Sequence, residues 1–313
     1  MIQRHRFAVT GGAGFIGSNI VKRLVSDNND IIVIDNLLTG RIENLEDFKN
    51  EIQFINGDIQ DLNFLKKEFK DIDYVLHQAA LPSVQRSVED PILTNRNNVD
   101  GTLNVLVAAR DAGVKRVIFA SSSSVYGDTP TLPKHEAMPP NPLSPYAISK
   151  LVGEQYCRVF FELYGLETVA LRYFNVFGPK QDPNSHYSAV IPKFIKAMLE
   201  NKRPVIFGDG EQSRDFTYVE NNVDANLLAC SAADAPGKVF NIAIGERITL
   251  NQLVEMINRI LDKEIKPIYE KDKPGDIKHS HADISCAKKI LGYEPEYGFE
   301  EGLQKTVEWF QDH

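Results

Sequence analysis

Tyr146 and Lys150 stand four residues apart in Tyr146-Ala147-Ile148-Ser149-Lys150, a spacing that puts both on one face of a helix. A free phenol has a pKa near ~10 and is a poor base at neutral pH. An ammonium beside it favours the phenolate, so the pair can pull a proton from an alcohol. Upstream, Phe119-Ala120-Ser121-Ser122-Ser123-Ser124-Val125-Tyr126-Gly127 closes an apolar run with four hydroxyls. Near the N-terminus a third pattern appears, Arg6-Phe7-Ala8-Val9-Thr10 running straight into Gly11-Gly12-Ala13-Gly14-Phe15-Ile16-Gly17. Glycines so spaced allow a tight turn, a close backbone approach to a pyrophosphate and close helix–strand packing. The amides that open the following helix then meet the phosphates.

An acid supports the dinucleotide reading. Asp35 ends the next apolar run, Ile31-Ile32-Val33-Ile34, about 20 residues after the glycines, where a carboxylate bonds the adenosine ribose hydroxyls. It also repels a 2′-phosphate, which favours NAD over NADP. Asp58-Ile59 follows the third strand, where adenine is expected. Gln78, Ala79 and Ala80 follow the fourth, small enough for the cofactor to pass. His77, at the end of that strand, reads as packed rather than functional.

These groups need a scaffold, and the apolar pattern supplies one. Strand-like runs at 7–10, 31–35, 52–56, 74–77, 116–120 and 168–172 alternate with helical patterns at 15–26, 62–69, 99–112 and 146–164. Short apolar strands separated by helices predict a parallel sheet covered on both faces. With right-handed crossovers this becomes an α/β, Rossmann-type doubly wound fold. Past Asn175 the pattern loosens: a loop over 178–187, helices at 190–199, 219–231 and 250–261, a hairpin over 203–210, and a strand at 239–243 returning to the main sheet. The expectation is a nucleotide-binding domain of 1–175 plus about 215–243. A smaller, discontinuous α/β substrate domain takes 176–214 plus about 244–313. The apolar faces of 99–112 and 146–164 either cover the sheet or form a helix-bundle homodimer.

Bulk composition narrows the partners. With 313 residues, 42% hydrophobic and 25% charged, the chain reads as an ordinary globular protein. A net charge of -8 argues against nucleic acid and anionic membranes. Cys157, Cys230 and Cys286 lie far apart and read as reduced thiols, neither metal ligands nor a disulfide framework. No signal peptide or membrane-length apolar run is visible, so a cytoplasmic location is expected.

The glycine turn, Asp35, the serine strand end and the Tyr146/Lys150 pair together resemble the extended short-chain dehydrogenase/reductase family. Further stretches narrow the resemblance to nucleotide-sugar 4-epimerases: Leu171-Arg172-Tyr173-Phe174-Asn175, Gly208-Asp209-Gly210, Ser213-Arg214-Asp215-Phe216 and Gly275-Asp276. The loop Gln181-Asp182-Pro183-Asn184, leading into Tyr187-Ser188-Ala189-Val190-Ile191-Pro192, is most similar to UDP-N-acetylglucosamine 4-epimerases.

The resemblance implies that Tyr146 takes the proton of the sugar 4-hydroxyl while carbon 4 gives a hydride to a tightly bound, recycled NAD. Ser122 shares that proton, and Lys150 holds the nicotinamide ribose and tunes Tyr146. Cofactor contacts are implied at Gly11, Gly14, Phe15, Ile16, Gly17, Asp35, Asn36, Asp58, Ile59, Gln78, Ala79, Ala80, Asn98 and Tyr173. Asn175 and Arg214 are implied to hold the UDP diphosphate, Ala189, Val190 and Phe207 the uracil, and Asp276 the uridine ribose. At Lys273 the chain departs from the pattern, where many relatives carry an arginine against the diphosphate; a lysine keeps the charge but loses the bidentate fork. Ser83, Ser123 and Ser124 touch the hexose. Ser280, in Lys278-His279-Ser280-His281, matches a size gate beside the 2-substituent, where a small residue admits an N-acetyl group.

Three rivals stand beside this reading. The first is a dehydratase or decarboxylase on the same scaffold; sugar dehydratases place Asp-Glu after the catalytic hydroxyl to protonate the leaving group, and with Ser123 and Ser124 there that chemistry lacks its acid. A UDP-hexuronic acid 4-epimerase needs a cation for the sugar carboxylate, with Arg86 or His186 as candidates. A non-catalytic NAD-binding sensor requires none of Ser122, Tyr146 and Lys150.

Overall fold

The computed structural model describes residues 4–183, 189–271 and 278–313; Lys273, Asp276, His186, Tyr187 and Ser188 lie outside them. The six apolar runs form parallel strands β1 (Arg6–Thr10), β2 (Asp30–Asp35), β3 (Gln53–Asn56), β4 (Tyr74–His77), β5 (Arg116–Ser122) and β6 (Glu167–Tyr173). Lys238–Ile242 joins beside β6, so the expected return strand is present. The sheet runs β3-β2-β1-β4-β5-β6 and then that seventh strand. Phe7 faces Ile31 on one side and Tyr74 on the other, so the order reverses about β1. A crevice opens at the carboxyl ends there, the usual place for a ligand.

Helices cover both faces. Between strands run α1 (Phe15–Ser26), α2 (Leu62–Glu68), the short α3 (Val84–Glu89) and α4 (Pro91–Asn95), α5 (Gly101–Ala112) and α6 (Pro145–Tyr164). One π turn, Arg96–Asp100, leads into α5, so the regular helix begins slightly later than the apolar pattern suggests. Alternation along β1 sends Ala8 to one core and Phe7 and Val9 to the other. Ala8 packs with Leu65, Val105 and Phe160 from α2, α5 and α6. Phe7 and Val9 pack with Ile20 and Leu24 of α1.

The carboxyl-terminal third adds α7 (Val190–Leu199), α8 (Val219–Ser231), α9 (Leu250–Leu261), α10 (Ser285–Leu291) and α11 (Phe299–Asp312). Val223 of α8 and Ala287 of α10 complete the core under α1. A third core joins Phe194 and Met198 of α7, Leu253 and Ile257 of α9, and Leu303 and Val307 of α11. The hairpin expected over 203–210 does not form. Val205–Phe207 instead pairs in parallel with Ile268–Glu270, beyond α9. Gly208 and Gly210, both at positive φ, turn the chain toward Ser213–Arg214, which pairs antiparallel with Ile248–Thr249.

Cys157, Cys230 and Cys286 are all free thiols. Among the described residues, no helix is long and apolar enough to cross a membrane, and no group of His, Cys, Asp or Glu is arranged to hold a metal.

Candidate active site

A cleft of about 660 Å³ runs along the carboxyl ends of the central strands. Its floor is the glycine turn. Gly11 sits at φ +69, and a Cβ there would lie 2.6 Å from the Ala79 amide nitrogen. A Cβ on Gly17 would lie 2.2 Å from the Gly11 carbonyl oxygen, so α1 can meet the turn only without one. Gly14 caps α1 with no side-chain hydrogen bond. The helix cannot satisfy its own first-turn amides, and Gly14, Phe15, Ile16 and Gly17 all line the cleft. The Gly14 amide donates to the Gly11 carbonyl at 3.1 Å, and the amides of Phe15, Ile16 and Gly17 are left to fit a pyrophosphate.

Asp35 is buried at the end of β2 and also lines the cleft. Its Oδ1 accepts from the Leu37 amide at 2.8 Å and its Oδ2 from the Ala13 amide at 3.0 Å. Burial raises its pKa against those two donors. The carboxylate therefore caps the turn as well as facing the place expected for a ribose. Asn36, Ile59, Gln78, Ala79, Ala80 and Tyr173 complete this wall. The Tyr173 hydroxyl, pushed up to about 12 by burial, donates to Gln78 Oε1 at 3.2 Å and fixes that amide.

Two expected cofactor residues lie off the wall. Asp58 accepts from Asn36 Nδ2 at 2.9 Å, and so acts behind it. Asn98 is buried, accepting from the Leu81 amide at 2.8 Å and donating to Ser149 Oγ at 3.1 Å. It ties the segment after β4 to α6.

Tyr146 enters the cleft because α6 starts where it does. Ser144 caps the helix by accepting from the Ala147 amide at 3.1 Å, and Pro145 fills the first turn. This sets Tyr146 and, one turn further along the helix, Lys150 on the cleft wall. The Ser122 hydroxyl at the end of β5 lies near enough to the Tyr146 phenol to favour its ionised form. Although the residue as a whole is half-buried, desolvation pushes the phenol up to about 12, and Ser122 offsets only part of that. The expected lowering by an adjacent ammonium is thus not supplied by the protein's own groups. Lys150 Nζ donates to the Ala120 carbonyl at 2.7 Å and stands 5.8 Å from the Tyr146 ring centre. Burial brings its own pKa down to about 8.

Sequence reasoning missed what holds α6 in place. Glu154 lies one further turn along the Tyr146/Lys150 face. It accepts from Arg172 Nε at 2.8 Å and Nη2 at 2.7 Å. The Ser121 hydroxyl also donates to it, so one buried carboxylate joins α6 to β5 and β6. The (i, i+4) continuation from Lys150 was the available signal. Cleft-lining Arg41 and Asp182, paired at 2.6 Å, were missed too; they meet only in three dimensions. His77 is packed, as expected. It sits between Thr10 Oγ1 at 2.7 Å and Thr102 Oγ1 at 3.0 Å, and burial drives it down to about 3.

Of the residues expected at the sugar nucleotide, Ser83 and Ala189 line the cleft with Tyr146. Val190 opens α7 directly behind Ala189. Ser123 and Ser124 begin a short 3-10 turn after Ser122, where the Ser124 amide donates to Ser122 Oγ at 3.2 Å. Ser124 Oγ is buried without a hydrogen-bond partner. Asn175, Arg214 and Ser280 stand apart from the cleft wall but together. The Ser280 amide donates to the Ser213 carbonyl at 2.9 Å, and Asn175 Nδ2 to the Asp215 carbonyl at 3.0 Å. Phe207 ends its strand nearby, its carbonyl accepting from Gln212 Nε2 at 2.6 Å.

Comparison with known proteins gives one consistent picture. The model of the NAD dependent epimerase/dehydratase family matches residues 7–243. A UDP-N-acetylglucosamine 4-epimerase from Methanobrevibacter ruminantium M1, solved in complex with UDP-N-acetylmuramic acid, superposes with a TM-score of 0.95. It is 47% identical and 99% of each chain is covered. A UDP-glucose 4-epimerase of Mycolicibacterium smegmatis is 39% identical over 98% of this chain and 99% of its own length. A UDP-glucuronate 4-epimerase of Thermodesulfobacterium geofontis is 37% identical over 98% and 96%.

Proposed function

Because the chain belongs to the NAD dependent epimerase/dehydratase family, with NAD as its cofactor, we propose that it inverts carbon 4 of UDP-hexoses. Both UDP-N-acetylglucosamine with its epimer and UDP-glucose with its epimer are accepted. The placement of Tyr146 and Lys150 on the cleft wall, with Ser122 beside the phenol at the carboxyl end of β5, carries this reading. A phenol and a hydroxyl thus stand together one helical turn from a buried cation.

The glycine turn, the first-turn amides of α1 and Asp35 hold the dinucleotide, and Lys150 holds its nicotinamide ribose. Held there, NAD would supply a hydride acceptor for sugar carbon 4 and the donor for its return to the opposite face. Ser122 and Tyr146 relay the proton of the 4-hydroxyl. The phenol at about 12 needs the positive nicotinamide beside it before it can serve as a base. Ser83, Ser123 and Ser124 offer hydroxyls to the hexose. Asn175 and Arg214 take the diphosphate, with Lys273, while Ala189, Val190 and Phe207 frame the uracil and Asp276 its ribose. Ser280, small and buried, leaves space for an N-acetyl group. In this reading residues 1–175 and about 215–243 form the nucleotide domain, and 176–214 with about 244–313 the substrate domain. The enzyme acts in the cytoplasm as a homodimer.

One observation favours a second reading. Arg86 lines the cleft close to Ser83, a cation placed to meet a sugar carboxylate, so uronic acid substrates are the alternative. The test is incubation without added NAD, separately with UDP-N-acetylglucosamine, UDP-glucose and UDP-glucuronate, followed by anion-exchange chromatography. Conversion of the N-acetylated sugar at least as fast as UDP-glucose supports the first reading. Conversion of UDP-glucuronate alone selects the second. No conversion of any sugar, even with NAD supplied, overturns both and points to another nucleotide sugar or to a non-catalytic NAD-binding role.

A further inference from the structure

Asp215 has no part in the chemistry above, yet it is wholly buried between the strand pairs Ser213–Arg214 and Thr217–Tyr218. Its Oδ1 accepts from the Ile244 amide at 3.2 Å and its Oδ2 from the Ala282 amide at 3.1 Å. The Gly245 and Glu246 amides also lie near enough to favour its ionised form. The Asp215 carbonyl takes the Asn175 side-chain amide at 3.0 Å. Desolvation outweighs these amides and pushes the carboxyl up to about 7. A group this costly to bury is retained only where its hydrogen bonds hold something together.

What it holds is three separate stretches of chain. Residues 244–246 follow the last strand of the main sheet. Residues 280–283 are bonded at nearly every step: the Ser280 amide to Ser213 O at 2.9 Å, the His281 carbonyl to the Lys134 amide at 2.8 Å, and the Asp283 amide to Lys134 O at 2.8 Å. Arg214 Nη1 donates to the Lys278 carbonyl at 3.2 Å, joining the same seam.

We propose that Asp215 is a positioning residue. Its carboxylate locks 244–246 and 280–283 onto the strand that carries Arg214, so that Asn175, Arg214 and Ser280 are presented together to a nucleoside diphosphate sugar. This rests on the UDP-sugar reading of the site. The dinucleotide wall, built on the glycine turn and β2, does not depend on it.

Asp215→Asn keeps the size but turns an acceptor oxygen into an NH2 group facing N–H donors. In the purified holoenzyme we expect KM for the UDP-sugar to rise roughly tenfold or more, because buried amides lose their acceptor, while kcat changes less than about threefold. Bound NAD should match wild type. An unchanged KM, or a fall in kcat alone, overturns the proposal.

If the variant does not fold, hydrogen exchange on the wild-type holoenzyme decides. UDP should slow exchange at the amides of Ile244, Gly245, Glu246 and Ala282. If UDP binds and the enzyme turns over while those amides are unaffected, Asp215 is only structural and the activity reading survives. If UDP does not bind, both fall.

Discussion

The two sides of the site are held by different means. On the glycine side the groups proposed to face the ligand are backbone amides, fixed by contacts too close for any Cβ, such as that of Gly17 with the Gly11 carbonyl. On the Arg214 side the proposed groups are side chains from distant segments, gathered by hydrogen bonds to the main chain and carboxylate of Asp215 and to the Ser213 carbonyl. The first wall is therefore sensitive to added atoms, and the second to lost acceptors. Between them lies Tyr146, and the sharpest test separates its chemistry from both walls. Tyr146→Phe should cut epimerisation by roughly 10³-fold, the scale of a lost general acid–base, with NAD content unchanged. A loss of NAD in parallel would make the residue a cofactor ligand first.

Gly17→Ala should break the glycine wall selectively. Its Cβ would meet the Gly11 carbonyl at 2.2 Å, so the purified protein should lack NAD while still binding UDP in calorimetry. Equal loss of both ligands would mean that the two walls are one mechanical unit.

Glu154→Gln probes the support shared by both. Removing one partner of the buried pair with Arg172 should cost about 3–5 kcal/mol of folding stability, read from urea unfolding. An effect within error would show that water already relieves the pair.

The element pattern was legible wherever the information was local. Apolar alternation located the seven main strands, and the Ser144-Pro145 start of α6 is a local signal for where Tyr146 must sit. Pairing across long separations was not legible. Val205–Phe207 looked like half of a hairpin because Gly208 and Gly210 supply turn chemistry on the spot, whereas its partner, Ile268–Glu270, lies beyond a whole helix. Desolvation was equally hidden. The expected lowering of the phenol pKa combined the Lys150 ammonium with a positive nicotinamide ring; among the protein's own groups burial outweighs it, and Lys150 Nζ donates to the Ala120 carbonyl. Arg41 and Asp182 carry no mark of their meeting, since it is made by the fold alone.

Smaller effects sharpen the same contrast. His77 is held from 6.5 down to about 3 by burial and by the Lys150 charge. As pH falls below 6.5 the unfolded chain takes up that proton first, so stability present above 6.5 is lost toward 3, at up to about 1.4 kcal/mol per pH unit. His77→Gln should flatten this dependence in urea midpoints taken near pH 7.5 and 5.5; an unchanged slope would assign it to other groups. Ser280→Tyr should leave UDP-glucose turnover within about threefold and reduce that of UDP-N-acetylglucosamine by roughly tenfold or more. Parallel loss of both would make Ser280 part of the seam and not a gate.

The central claim is that one site removes and returns the same hydride while Tyr146 and Ser122 relay the proton. The most direct measurement follows UDP-N-acetylglucosamine deuterated at carbon 4 through a full turnover, without added NAD, by NMR and mass spectrometry of the epimer. The account predicts that the deuterium is retained at carbon 4 of the product. Exchange of that label with solvent would contradict it, because the hydrogen would then have left as a proton and not as a hydride.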